Sequence, residues 1–90
     1  PDDAYVLRGE IRSARFADVH GHADARDAFV IDCTALTRMD FISAGALLNS
    51  LSTVRRTGKQ IVFHRPNYLV AELFSVVGLT AIATIVFAKR

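Results

Sequence analysis

Ninety residues, 51% of them apolar and 22% charged, suffice for one small hydrophobic core and leave no room for a second. A net charge of +2, with the basic residues scattered along the chain, argues against a nucleic-acid partner. The single cysteine, Cys33, excludes an intramolecular disulfide framework, so a reducing, cytoplasmic setting is the expectation.

The chain opens on Pro1-Asp2-Asp3 with no initiator Met, so its natural N-terminus is expected to lie upstream, and residues 1–90 are read as one domain. Tyr5-Val6-Leu7-Arg8 is a strand-like run that meets a turn or bulge at Gly9. Residues 13–19 place Phe16 and Val19 on one side of a short helix, which a polar loop through Gly21 follows. Ala28-Phe29-Val30-Ile31-Asp32-Cys33 is continuous and β-branched, the pattern of a central strand in a parallel sheet. Cys33 reads there as a small buried side chain rather than a reactive thiol. After a turn at 34–38, Ala44, Leu47, Leu48, Leu51 and Val54 recur at spacings of three and four, which predicts an amphipathic helix ended by Gly58.

Gln60-Ile61-Val62-Phe63-His64 is the next strand, and Asn67 after Pro66 is the N-cap of a second long helix. Leu69, Val70, Leu73, Phe74 and Val77 form its buried stripe, with Gly78 at its end, and residues 82–87 close the sheet. Residues 68–88 carry Glu72 as their one charge and are long enough to nominate a membrane span. Gly78-Leu79-Thr80 divides them into a helical half and a strand half, so no membrane insertion is expected. Strands alternating with single helices imply right-handed crossovers and a mainly parallel sheet.

His20-Gly21-His22 with Asp18 and Asp24 resembles a metal cluster, but all lie in one polar stretch rather than along the ordered elements that present a tetrahedral site. A solvated loop is the better account, and no metal or cofactor is expected. His64 follows an apolar strand with no Ser or Cys placed to form a nucleophile–base pair. With no phosphate cradle, nucleophile elbow or paired carboxylates either, the chain does not read as an enzyme.

The segment that stands apart is Met39-Asp40-Phe41-Ile42-Ser43-Ala44-Gly45, between the central strand and the first long helix. Such junctions lie at the carboxyl edge of a parallel sheet, where ligands and partners meet an open α/β domain. The helix that follows has no charge from Ser43 through Val54, and Asn49, Ser50, Ser52 and Thr53 give it a neutral polar outer face suited to an interface. The plainer account is a core-facing Phe41 and a helix that is merely poor in charge.

These residues resemble the STAS domains of anti-sigma-factor antagonists, sulfate-transporter tails and lipid-transport accessory proteins. The resemblance rests on Leu7-Arg8-Gly9-Glu10-Ile11, on Val30-Ile31-Asp32-Cys33-Thr34-Ala35-Leu36 with Met39-Asp40, on Arg56-Thr57-Gly58-Lys59-Gln60-Ile61-Val62-Phe63, and on the run from Val70 to the Gly78-Leu79 ending. It implies a small, mixed but mainly parallel sheet flanked by helices, acting as a regulatory protein-binding module. The first helix is shorter than the family's by several residues, and the family's first strand falls before Pro1. Phosphorylatable members carry a Ser or Thr directly after the Asp that closes the loop, and Phe41 stands at that position here. The implied module is therefore independent of phosphorylation, with Ser43 as a less favoured, displaced acceptor that fits an N-cap better.

The partner-binding residues expected are Asp40, which sets the loop and caps the helix, Phe41 and Ile42 as apolar anchors, and Ser43 for polar contacts, with Asn49, Ser52 and Thr53 as secondary contacts. An anti-sigma factor or kinase, a transporter ATPase, or a second copy of the domain would serve as partner. The competing expectation is a small-ligand or lipid-binding module with an apolar pocket between Phe41 and Phe74, or a transporter accessory subunit.

Overall fold

A computed structural model of the chain describes residues 4–23 and 27–87. Strands β1 (Tyr5–Ile11), β2 (Ala28–Met39), β3 (Gln60–His64) and β4 (Thr84–Val86) alternate with helices α1 (Val19–Ala23), α2 (Phe41–Arg56) and α3 (Tyr68–Val77), and a 3-10 turn at Leu79–Ala81 leads into β4. The sheet order is β1-β2-β3-β4 and each neighbouring pair is parallel, so no antiparallel strand enters among the described residues. Each crossover steps one strand in the same direction, and right-handed crossovers then place all three helices on one face. In agreement, α2 packs against both α1 and α3.

Between that helical layer and the sheet lies the core. Phe29, Ile31 and Cys33 of β2 and Ile61 and Phe63 of β3 meet Leu47, Leu51 and Val54 of α2 and Val70 and Phe74 of α3. The Phe63 and Phe74 rings lie 4.4 Å apart, a packed aromatic pair. The alternate strand residues face away from the helices. Val6, Val30, Val62 and Val86 belong to that second face, and none is part of the core.

Four sequence expectations are corrected by the structure. Residues 13–18 are not helical, because Ser13 and Phe16 hold φ of 52° and 56°, in the left-handed region, and the short helix begins only at Val19 and takes in His20 and Gly21. This loop finds its hydrogen bonds on α2: the Ala14 N–H donates to Ser43 Oγ at 2.9 Å, and the Ser50 hydroxyl donates to the Phe16 carbonyl at 3.4 Å. Residues 34–38 are not a turn, since β2 runs on to Met39 and pairs there with β1 alone. Beyond the end of β3 one side of the strand is open, so its residues are mostly polar and read like a loop. Gly9, at φ 70°, sits where the β1–β2 register shifts.

Leu69 is exposed rather than part of the buried stripe of α3, with Leu73 and Val77 only half-buried. That helix is apolar on most sides, so periodicity alone cannot orient it. The closing strand is shorter than expected, Thr84–Val86, because the 3-10 turn consumes the residues after Gly78, which ends α3 at φ 97°. The opening and closing tripeptides and Asp24 lie outside the described residues.

Candidate functional site

The site is built at the carboxyl edge of the sheet, where β2 hands over to α2. Asp40 is the N-cap, extended at φ −80° and ψ 164°, and its Oδ1 accepts from the Ser43 N–H at 2.9 Å. Its Oδ2 accepts from the Ser13 N–H at 3.0 Å, and its own N–H donates to the Ile11 carbonyl at 3.1 Å. One carboxylate thus ties the start of α2 to the end of β1. The Ser43 hydroxyl and N–H, followed by the Ser13 N–H, hold the Asp40 carboxyl below its ordinary pKa. Beside it, Glu10, Ile11, Arg12, Arg38, Met39 and Asp40 line a shallow cleft of about 360 Å³. Arg12 donates to Glu10 at 2.7 Å along its rim.

With the first turn of α2 fixed in this way, Phe41 and Ile42 point outward, 64% and 69% exposed. They are the expected apolar pair at the surface, and the core-facing account of Phe41 fails. Ser43 is different. It is fully buried and its Oγ accepts from Ala14, so its side chain is not presented to a partner or a kinase, and of the two caps expected it is Asp40, not Ser43, that caps the helix.

The secondary positions also divide. Asn49 is exposed; the half-buried Ser52 turns its hydroxyl back onto the Leu48 carbonyl at 2.7 Å; and Thr53 Oγ1 accepts from Arg56 Nη2 at 3.1 Å. The expected pocket between Phe41 and Phe74 does not form, because Phe74 is fully buried against Phe63 while Phe41 stands in solvent.

The residues around His20 form a different arrangement from the one their spacing suggests. The Tyr5 hydroxyl donates to Asp18 Oδ1 at 2.7 Å, His22 Nε2 lies 3.8 Å from Asp18 Oδ2, and the His22 ring sits edge-on to Tyr5 at 4.9 Å. No group of three His, Cys, Asp or Glu side chains is placed to hold a metal among the described residues. Sequence reasoning missed Ser13, Ala14 and Arg12 as parts of the site. The partners of Ser13 and Ala14, Asp40 and Ser43, lie nearly thirty positions away, and no local pattern announces them.

Residues 3–86 match the family model described as "Mlab, STAS domain". The chain belongs to this STAS family. No curated protein and no solved structure matches it. Membership agrees with the α/β architecture and with a regulatory or interaction role at the general level, the family being generally non-catalytic. Among the described residues of this STAS domain, no helix is long and apolar enough to cross a membrane.

Proposed function

We propose that this STAS domain is a non-catalytic regulatory module that binds a protein partner through the first turn of α2, independently of phosphorylation. The observation that supports it is the exposed pair Phe41 and Ile42, displayed on a helix turn whose backbone is pinned by Asp40 and by the buried Ser43. Large apolar side chains held rigidly in water lose little conformational entropy on binding and gain their full burial. Phe41 also occupies the position where phosphorylatable members carry a Ser or Thr, and no phosphate ester can form on it.

Asp40 positions the turn, Phe41 and Ile42 are the anchors, and Asn49 and Thr53 continue the uncharged outer face of α2. The partner is an anti-sigma factor or kinase, or a transporter ATPase, with an apolar recess for the pair and polar groups to meet the cleft beside Asp40. The small-ligand reading loses the pocket on which it depended. Affinity capture from the source cell with wild type, Phe41→Ala and Ile42→Asp tests the assignment. A partner retained by wild type and lost by both variants, with unchanged circular dichroism, is the expected result. Equal retention by all three would overturn it.

A further inference from the structure

A parallel sheet is normally covered on both faces, yet among the described residues all three helices lie on one. The strand register aligns a row straight across the other face: Val6 pairs with Asp32, Asp32 with His64, and His64 with Val86. The row beside it is Val30, Val62 and Thr84. Val6 and Val86, at the two ends, are each 43% exposed. Asp32 is fixed in place by Thr34, whose N–H and hydroxyl donate to Oδ1 at 2.9 and 2.6 Å.

This row is self-complementary. A two-fold axis running along the strands between β2 and β3 lays β2 over β3 of a second copy, and β1 over β4. Val6 then faces Val86 and Val30 faces Val62, while the Asp32 carboxylate, an acceptor, faces the His64 imidazole, a donor. Each of these contacts occurs twice, as an isologous interface requires.

We propose that the open sheet face is a homodimer interface, in which two copies of this chain pack sheet on sheet. The helical layer, with Phe41 and Ile42, is left free on the outside of both copies. The proposal does not depend on the partner-binding role of α2. Strands about 4.8 Å apart and residues rising about 3.3 Å give a footprint of roughly 20 by 16 Å, small for an interface, so the dimer is weak and concentration-dependent.

Sedimentation equilibrium over about 1 to 500 µM tests for a weak, reversible dimer. Wild type should pass from monomer to dimer, and Phe41→Ala should do the same. Asp32→His and His64→Asp should each weaken self-association at least tenfold, because like groups then face each other. Mixed in equal amounts, the two variants should form a heterodimer, since both imidazoles of the first then face the two carboxylates of the second. Val6→Lys, at an exposed position that the monomer fold tolerates, should also weaken the dimer at least tenfold. A wild type that stays monomeric throughout, a Val6→Lys variant that dimerises as wild type does, or a mixture of folded single variants that stays monomeric would overturn the proposal.

Discussion

The Asn67 side chain donates from Nδ2 to the Leu36 carbonyl at 3.2 Å, joining the start of α3 to the free edge of β2. The same nitrogen reaches the Thr37 carbonyl at 3.2 Å, while Oδ1 caps α3 by accepting from the Val70 N–H at 2.9 Å. Past His64 there is no β3 to satisfy those carbonyls, and one amide does so in its place. The projecting end of β2, which leads directly into Asp40 and Phe41, is therefore held by a residue on another helix.

Asn67→Ala should cost about 2–3 kcal/mol, a cap of about 1 plus two partly exposed hydrogen bonds of somewhat under 1 each. Asn67→Asp keeps the cap acceptor and loses the donor, so it should fall between wild type and the Ala variant. Urea denaturation of the three proteins measures the order, and an Asp variant as unstable as Ala would show that the β2 contact dominates.

Asp40 titrates from a depressed pKa, so its contribution to stability is complete above the ordinary carboxylate value of about 3.9 and is lost as pH falls through the lower folded value. Asp32, lowered by its hydrogen bonds from Thr34, acts in the same direction. Asp40→Asn keeps an amide cap that does not titrate. The urea midpoint of wild type should therefore fall more steeply than that of Asp40→Asn between about pH 4 and pH 2. Parallel curves would show that the Asp40 charge contributes nothing to the fold.

Ser43→Ala should cost about 1–2 kcal/mol, because the Ala14 N–H loses its acceptor in a part-buried setting. Ser43→Glu places a charge at a fully buried position and should not fold. Incubation with a kinase preparation, followed by mass spectrometry of the peptide carrying residues 40–51, should find Ser43 unmodified in the native protein.

Burial, and then the charge of Asp32, push the Cys33 thiol up to about 12, and the side chain is fully buried. A thiol reagent at pH 8 should leave native protein untouched and label one cysteine in urea. Fast labelling of the native state would mean that β2 opens readily.

Phe41→Ser and Ile42→Ser should each alter unfolding stability by no more than about 0.5 kcal/mol, since both side chains are already mostly in water. Thermal melts of each variant beside wild type check this. A large loss would place the pair in the core.

The elements with the plainest local grammar were legible in the sequence. Asn67 and Gly78 bound α3 as their cap chemistry requires, and α2 buries Ala44, Leu47, Leu51 and Val54 at helical spacing. Phe41 and Ile42 were located by their place after Asp40. Residues 13–18 were misread because helix-compatible side chains say nothing of the Ser43 and Ser50 hydroxyls waiting across the chain. Residues 34–38 were misread because a strand with one neighbour loses its apolar alternation.

By itself the sequence determined the βα alternation and the order of the elements, which follow from periodicity and caps, while its motifs carried the resemblance to the family. Only the tertiary structure decided between the exposed and the core-facing accounts of Phe41, that Ser43 is sealed inside, and that among the described residues every helix lies on one sheet face, with Asp32 beside His64 on the other. Those are relations between residues roughly thirty positions apart, set by strand register and crossover handedness. No window of sequence contains them.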